Sequence, residues 1–432
     1  MMKSVDRILI IGQCTLHWGR MEYGNIGNYY IIAPFFKELR RVFPHSEIAT
    51  TMQFSDCFCK HYNIETLPMD VYYDFNRNDN LCIAKAEYAA VTHNRSIESR
   101  YIDEVKKASV VIDFSGDIWG DNADFIGKDR FATGCFKDLI AQYLKPTAML
   151  AGSPGPFGKV KNLALAKKTY SGFDLVTNRE PVSTKILNDL GFDVSKTMDC
   201  PCPSFLFPKA TDDVVASFFN RDIFNVKNKL KIGFILCGWN FKKGPFDRWP
   251  RDVNEYDQFV ELIKAINDKY DAHIFLLSHS NGFKVPPEKF ELIHGRDYPI
   301  MEQLFELLCE NGQEQNITLL NGIYPPDVTK GIISHFDILI SGRMHGAVAG
   351  LSQSIPTMII DYGHEPKAHK LRGFAKVVGM ENFIANPNDF NELKNKAFSC
   401  IDERYQISII LKDKMSEIEK QAKNQFDMIL QI

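Results

Sequence analysis

The chain has 432 residues, a length that predicts two domains rather than one core. Hydrophobic residues make up 45% of the chain and charged residues 24%, which is typical of a globular protein and excludes a disordered or fibrous one. The formal net charge of -3 provides no global attraction to a polyanion, so we expect no nucleic-acid partner.

Cysteine usage and apolar runs indicate the compartment. Ten cysteines are scattered along the chain, and the closest pairs, Cys57/Cys59 and Cys200/Cys202, lack the C-x-x-C spacing of zinc sites. We therefore expect no metal, and buried free thiols in a reducing environment. No signal peptide opens the sequence, and no apolar run reaches the ~18 residues that span a membrane. These features predict a cytoplasmic protein without a transmembrane segment, for which only peripheral membrane contact is possible.

In the N-terminal half, short apolar runs alternate with segments of helical periodicity. Strands are predicted at 7–12, 47–52, 109–114, 147–152 and 175–177. Helices are predicted at 26–43, 131–144, 160–170 and 181–190. This alternation is typical of a parallel sheet covered by helices.

A second series of the same kind follows the polar segment 208–229. Its strands are predicted at 231–237, 273–277, 317–320, 338–341 and 357–361. Its helices are predicted at 255–269, 301–308, 325–334 and 344–352. The segment 407–432 has apolar residues spaced among charges, which predicts an amphipathic helix packed on the body, with a membrane-surface helix as the alternative.

Together these elements predict an α/β fold with two Rossmann-like lobes of parallel sheet, in a GT-B-like architecture. The predicted domains are an N-terminal lobe at 1–208, a C-terminal lobe at 209–400 and a C-terminal helix at 401–432 that packs back on the body. No internal repeat or low-complexity segment interrupts this pattern.

The segment Ser341-Gly-Arg-Met-His345 joins a predicted strand to a helix of small residues. Open parallel sheets bind ligands at the carboxyl ends of their strands, and the N–H groups and dipole of a helix start favour an anion. Arg343 can bind phosphate or carboxylate through two nitrogens, and His345 can transfer a proton near neutral pH. The alternative is that Arg343 binds a neighbouring carbonyl and His345 packs in the core. Two polar residues at an otherwise apolar junction favour a functional site.

This segment resembles the most recognisable motif of the polysaccharide pyruvyl transferase family, a small residue followed by Arg, an apolar residue and His. The surrounding segments are similar in order: Gly322-Ile-Tyr-Pro-Pro-Asp327 precedes the motif, and Lys370-Leu-Arg-Gly-Phe374 follows it. Lys370 and Lys367 are alternatives for the family's lysine, and we assign Lys370.

Shorter resemblances occur in the first half and in the second lobe. Gly24-Asn-Ile-Gly-Asn28 resembles the family's Gly-Asn-x-Gly-Asp loop, with Asn28 in place of Asp. Gly152-Ser-Pro-Gly-Pro156 resembles a Gly-Gln-x-x-Gly-Pro loop, with Gly152 at a position where Gln is usual. Three further segments resemble family motifs at strand ends: 115–121, 178–183 and 277–279. Each short motif has a tight turn, a helix cap or a surface ion pair as its alternative.

The resemblance implies transfer of the pyruvyl group of phosphoenolpyruvate to a saccharide, forming a pyruvate ketal in cell-surface polysaccharide biosynthesis. It implies no cofactor beyond this donor, with the acceptor in the N-terminal lobe and the donor in the C-terminal lobe. Such a donor needs converging cations, and the reaction needs an acid and a base. The resemblance implies His345, Asp117 and Asp121 as catalytic residues. It implies as substrate-binding residues Arg343, Arg179, Lys370, His279, Met344, Gly346, Asn25 and Gly27.

Two other functions fit the sequence. A nucleotide-sugar-dependent glycosyltransferase of GT-B architecture would share the fold and the phosphate site. The departures at Asn28 and Gly152 fit a non-catalytic binding protein of a saccharide pathway. For a saccharide acceptor, free or lipid-linked, the tryptophans offer aromatic faces, although they can equally cover core edges. They are Trp18, Trp119, Trp239 and Trp249.

Overall fold

A computed structural model describes residues 5–13, 18–73, 79–93, 96–125, 127–220, 222–245, 247–363 and 368–432. The chain divides into two compact units. Unit 1 comprises Met1–Glu22, Pro34–Pro203 and Gln421–Ile432. Unit 2 comprises Tyr23–Ala33 and Ser204–Lys420.

Unit 1 contains a parallel sheet of seven strands among its described residues. In chain order they are β1 (Arg7–Ile11), β2 (Glu47–Thr50), β3 (Glu65–Thr66), β4 (Val110–Asp113), β5 (Thr147–Gly152), β6 (Leu175–Asn178) and β7 (Thr197–Asp199). Their spatial order is β3-β2-β1-β4-β5-β6-β7, with Ile8 of β1 paired with Val110 of β4. The order reverses between β1 and β4, so the residues that follow these two strands meet at a switch point, where such sheets bind ligands.

Helices pack around this sheet, which explains why β1 and β4 are nearly continuous apolar runs. They are α1 (Ile26–Val42), α2 (Asp56–Tyr62), α3 (Asn80–Thr92), α4 (Arg100–Lys107), α5 (Arg130–Leu144), α6 (Val160–Ser171) and α7 (Pro181–Asp189). The first residues of α1, up to Ala33, belong to unit 2. The start of α7 shows how sequence sets these boundaries. Pro181 fits the first turn, and the Glu180 carboxylate accepts hydrogen bonds from the amides of Val182 and Ser183.

Unit 2 contains a parallel sheet of six strands in the portion that is described. They are β8 (Leu230–Ile235), β9 (Ala272–Leu277), β12 (Ile317–Leu320), β13 (Ile338–Ser341), β14 (Thr357–Ile360) and β15 (Ile384–Ala385). The spatial order is β12-β9-β8-β13-β14-β15, so β8 and β13 flank the second switch point. Between β9 and β12 the chain forms an antiparallel hairpin of β10 (Asn281–Lys284) and β11 (Glu291–His294).

The helices of unit 2 follow the alternation expected from the sequence. They are α8 (Asp212–Ala216), α9 (Asp257–Lys269), α10 (Tyr298–Glu310), α11 (Pro326–Ile333), α12 (Met344–Leu351), α13 (Ala368–Val378), α14 (Phe390–Asp402) and α15 (Arg404–Asp427), whose last residues belong to unit 1. Within the described ranges, no helix is both long enough and apolar enough to cross a membrane.

The end of α15 packs on unit 1. The ring of Phe426 is fully buried, with its centroid 5.4 Å from that of Phe35. Both carboxylate oxygens of Asp427 accept hydrogen bonds from the Arg41 guanidinium at 3.0 Å. The predicted packing of a C-terminal helix on the body is confirmed.

The cysteines only partly follow the expectation of buried thiols. All nine that the structure describes are free. Cys57 and Cys82 are exposed, because they lie on the outer surfaces of α2 and α3. Those fully buried are Cys135, Cys200, Cys202, Cys237 and Cys400. Cys14, and the alternative lysine Lys367, lie outside the described residues.

Candidate active site

The start of α12 lies beside the switch point of the unit 2 sheet. Arg343 is its N-cap residue, two positions after the end of β13. The first bond of the helix runs from the Ala347 amide to the Arg343 carbonyl, so the amides of Met344, His345 and Gly346 lie in the turn that precedes it. A helix start of this kind offers donors and a positive dipole end to an anion.

Arg343 forms a buried ion pair with Asp297. Its Nε donates to Oδ2 of Asp297 at 2.8 Å, and its Nη2 donates to Oδ1. The Asp297 side chain is fully buried, and the Arg343 side chain is 8% exposed. Burial alone would lower the pKa of Arg343, but the charge of Asp297 reverses this and raises it, so the guanidinium stays protonated. Nη1 has no protein partner among the described residues and is available to a ligand.

Asp297 precedes α10, and sequence reasoning missed it. It occupies the N-cap position of that helix, yet its side chain caps nothing there. Its amide instead donates to Ser280 Oγ at 3.0 Å, which fixes it beside the carboxyl end of β9. An Asp before Tyr-Pro is typical of an ordinary helix start, so the sequence gives no signal for its pairing with Arg343.

His279 lies two residues beyond β9 and is fully buried. Both of its ring nitrogens lack a hydrogen-bond partner in the described part of the chain. Burial lowers the pKa of His279 to about 3, with Asp297 opposing and Arg343 reinforcing the shift. The ring is therefore neutral near pH 7, where it can donate or accept a hydrogen bond but cannot act as a cation.

The N-terminal glycine loop belongs to the same site. A Cβ added to Gly27 would lie 2.6 Å from Nδ1 of His345, so this close approach requires glycine. Asn25 pairs with Ser280 in an antiparallel bridge, and its Oδ1 accepts a hydrogen bond from the Gly27 amide at 3.0 Å. The predicted residues that the structure brings together in unit 2 are thus Asn25, Gly27, His279, Arg343 and His345.

Lys370 lies in the first turn of α13 and is 3% exposed. Phe374, one helical turn later, contacts His345 with ring centroids 5.9 Å apart. Residues four apart share a helix face, so Lys370 lies on the side of α13 that carries this contact.

Asn240 is a second buried residue that the sequence did not single out. Its Oδ1 accepts a hydrogen bond from the Cys237 amide at 2.9 Å. Its Nδ2 donates to the carbonyls of Gly342, Ile360 and Asp361 at 3.2–3.3 Å. One amide thus connects the ends of β8, β13 and β14. In the sequence it stands in a Gly-Trp-Asn turn with no distinguishing signal.

Arg179 lies in unit 1, directly after β6, and is buried. Its Nε donates to Ser153 Oγ at 2.8 Å, and Ser153 Oγ lies 3.3 Å from Glu180 Oε1. Burial raises the pKa of Glu180, while its bonds to Ser183 oppose that shift. The Ser-Pro-Gly-Pro loop and the Arg-Glu segment, predicted separately, therefore contact each other.

The two candidate carboxylates of unit 1 differ in their contacts. Asp121 holds the start of α6, because Oδ2 accepts from the amides of Gly158 at 2.6 Å and Lys159 at 3.0 Å, and Oδ1 accepts from Asn162 at 2.6 Å. Asp117 is half-buried, and its carbonyl accepts a hydrogen bond from the Asn122 side chain at 3.1 Å.

The tryptophans and the question of a metal complete the survey. Trp119 is fully buried and donates to Asp138 at 3.1 Å, so it is a core residue. Trp18 is 41% and Trp249 46% exposed, whereas Trp239 is half-buried. Within the described ranges, no group of three or more His, Cys, Asp and Glu residues is placed to hold a metal ion.

Comparison with known sequences identifies one family. Residues 25–364 match the family model of polysaccharide pyruvyl transferases. No curated protein sequence matches the chain.

Several solved structures share the fold over nearly the whole chain. HepE of Anabaena in complex with UDP is 12% identical, covers 98% of both chains and has a TM-score of 0.56. The UDP-GlcNAc 2-epimerase of Neisseria meningitidis bound to UDP-GlcNAc is 13% identical, with 99% and 98% coverage and a TM-score of 0.54. A glycosyltransferase of Rickettsia africae is 11% identical, with 99% and 96% coverage and a TM-score of 0.54. At such identities the similarity concerns the fold alone, and it confirms the predicted α/β class with Rossmann-like lobes of the GT-B type.

Proposed function

Because the chain belongs to the polysaccharide pyruvyl transferase family, we propose that it transfers the enolpyruvyl group of phosphoenolpyruvate to a saccharide, forming a pyruvate ketal. The observation that carries the proposal is the state of Arg343, which is held by Asp297 through two nitrogens and keeps Nη1 for a ligand at the start of α12. The phosphate and carboxylate of this donor suit that nitrogen and the adjacent helix amides. We place the reaction in the cytoplasm, on the route to a cell-surface polysaccharide, with a free or lipid-linked acceptor.

The charge of the site requires further cations. Asp297 offsets the charge of Arg343, so the pair alone attracts an anion only weakly. We assign Lys370 to the donor because it lies on the face of α13 that contacts His345. Arg179 of unit 1 keeps its predicted assignment as another donor-binding cation. His279 supplies a neutral hydrogen bond.

The proton transfers are assigned by the state of each candidate group. The donor's enol carbon takes up a proton, and the attacking sugar hydroxyl loses one. We assign this exchange to His345, because burial keeps His279 from carrying a proton near pH 7. Asp117 and Asp121 remain the candidates for the complementary carboxylate. Asp121 would have to release the start of α6 to serve, so we favour Asp117.

The test is calorimetric titration of the purified protein with phosphoenolpyruvate and, separately, with UDP-sugars. Arg343→Lys keeps a charge beside Asp297 but lacks the planar fork, so we expect it to fold and to bind phosphoenolpyruvate at least about tenfold more weakly. Arg372→Lys, which changes a guanidinium that binds Asp361 at the protein surface, is the matched control and should bind like the wild type.

Each other outcome points to a different function. Binding of a UDP-sugar without phosphoenolpyruvate would favour the glycosyltransferase alternative, which is also suggested by the nucleotide named for HepE. Binding of neither would favour a non-catalytic saccharide-binding protein. Undiminished binding of phosphoenolpyruvate to the Arg343→Lys variant would remove Arg343 from the donor site.

A further inference from the structure

A group of buried polar atoms without partners lies at the carboxyl end of the unit 1 sheet. Gln13, two residues beyond β1, is fully buried, and neither atom of its side-chain amide has a hydrogen-bond partner in the described part of the chain. The hydroxyl of Tyr72 and Oδ1 of Asp138 are buried and unpartnered in the same way. None of these side chains has a role in the reaction proposed above.

Asp138 of α5 is paired with Asp113, the last residue of β4. The two carboxyl groups lie within hydrogen-bond reach of each other. Asp113 also accepts two bonds from Ser115 at 2.8 and 2.9 Å, and Asp138 accepts one from Trp119 at 3.1 Å. Burial raises the pKa of Asp113 to about 6, and burial with the charge of Asp113 raises that of Asp138 well above its usual value. The pair therefore retains a proton near neutral pH and offers both an acceptor oxygen and an O–H donor.

These groups form one cluster rather than separate defects. A Cβ added to Gly134, one turn before Asp138 on α5, would lie 2.2 Å from Nε2 of Gln13, so the Gln13 amide lies directly against that helix. Burial raises the pKa of the Tyr72 hydroxyl well above its usual value, and the nearby groups that add to the shift include both carboxyls. We call Gln13, Tyr72, Asp113 and Asp138 the Gln13 cluster.

The chemistry of the Gln13 cluster restricts what it can bind. Buried donors and acceptors are rarely left unmatched in folded proteins, because each costs free energy, so a polar occupant is expected. Two carboxyl groups repel an anion, and a pair that keeps a proton is a poor ligand for a metal ion. An apolar molecule would leave the amide and hydroxyl unsatisfied. A neutral molecule with several hydroxyl groups matches all four side chains.

We propose that the Gln13 cluster binds hydroxyl groups of a neutral saccharide, which would be the acceptor of the transfer reaction. The cluster follows β1 and β4, where the strand order of unit 1 reverses and ligands bind in sheets of this kind. The identification of the saccharide as acceptor rests on the proposed function, whereas saccharide binding itself does not.

The test compares variants that differ by single polar groups. Gln13→Leu and Tyr72→Phe remove unpartnered atoms and should leave stability unchanged or higher. Tyr101→Phe is the matched control, because the Tyr101 hydroxyl is buried in the same region but donates to the Lys137 carbonyl at 2.8 Å. The probes are the methyl glycosides of galactose, glucose, mannose and N-acetylmannosamine, titrated by saturation-transfer NMR.

We expect at least one glycoside to bind the wild type, and its affinity to fall about tenfold in Gln13→Leu and in Tyr72→Phe but not in Tyr101→Phe. Absence of binding by all four glycosides, or binding that neither variant weakens, would overturn the proposal and leave internal water as the occupant. Phosphoenolpyruvate is titrated into the same samples. Failure of that donor to bind, with glycoside binding intact, would reject the proposed function and leave the saccharide site standing.

Discussion

At the residue scale, the contact between Gly27 and His345 connects the two ends of the sequence motif pattern. Gly27 precedes His345 by more than 300 positions, yet its backbone lies against the imidazole. A glycine motif is weak evidence on its own. Here the need for glycine is explained by close packing against a residue of the Arg-Met-His segment, which gives both motifs a common physical cause.

Gly27→Ala should displace His345. The added methyl would lie 2.6 Å from Nδ1 and 2.7 Å from Cβ of His345, a distance at which the ring must move. We expect a stability cost of about 1–3 kcal/mol and weaker binding of phosphoenolpyruvate. Gly24→Ala in the same loop is the control, because no atom lies within 4 Å of its added Cβ. Urea unfolding and calorimetry measure both effects, and equal behaviour of the two variants would contradict the packing argument.

His279 should make the protein less stable in acid. Its pKa is about 3 in the fold against 6.5 ordinarily. As pH falls from 6.5 towards 3, the unfolded chain takes up a proton that the folded one does not, so stability decreases by up to about 1.4 kcal/mol per pH unit. His279→Phe keeps a ring against Tyr30 and lacks this titration.

The expected result for His279→Phe is a stability that, relative to the wild type, increases steadily as pH falls below 6.5. Denaturant unfolding at a series of pH values measures the difference. A constant difference across the acid range would show that His279 gains a proton as readily in the fold as outside it.

Sequence reasoning found the residues of this site whose motif is local and missed those whose partner is distant. Arg343, His345 and Gly27 stand in short patterns at a strand–helix junction or glycine loop. Asp297 stands 46 positions from Arg343 and is typical of a helix start. Gln13 follows an apolar strand with no pattern around it, and its isolation is visible only once α5 is in place.

At the element scale, the periodicity of apolar residues predicted the strands with buried faces and the longer helices. The strands that it missed are short and polar. β3 and β15 have two residues each, and the hairpin of β10 and β11 is only half-buried or exposed. Such segments are strands because a neighbour supplies the hydrogen bonds, and their own sequence does not carry that information.

Asp121 tests whether a conspicuous motif residue serves an element or the chemistry. Asp121→Ala removes three acceptor contacts at the start of α6, so we expect a loss of about 1–2 kcal/mol in stability and no change in phosphoenolpyruvate affinity. Asp121→Asn keeps one acceptor oxygen and should be less destabilised. A variant with full stability and weaker donor binding would instead assign Asp121 to the site.

At the scale of the whole molecule, strand–helix alternation was enough to predict two parallel sheets. The order of strands was not predictable in the same way, because pairing depends on which faces the helices cover. The chain passes between the units at four points, the last of them within α15. Periodicity shows that such a helix has an apolar side, but not that its first residues pack on unit 2 and its last residues on unit 1.

Phe426 tests the contribution of that last turn. It is fully buried against Phe35, so Phe426→Ala should cost about 3–5 kcal/mol through lost burial and a cavity in unit 1. Tyr405→Ala, on the same helix but 73% exposed, should change stability by less than about 0.5 kcal/mol. Calorimetric unfolding distinguishes two results. If unit 1 unfolds independently, only one transition moves to lower temperature, and if the units unfold together the single transition moves. An unchanged profile would mean that the end of α15 adds no stability to unit 1.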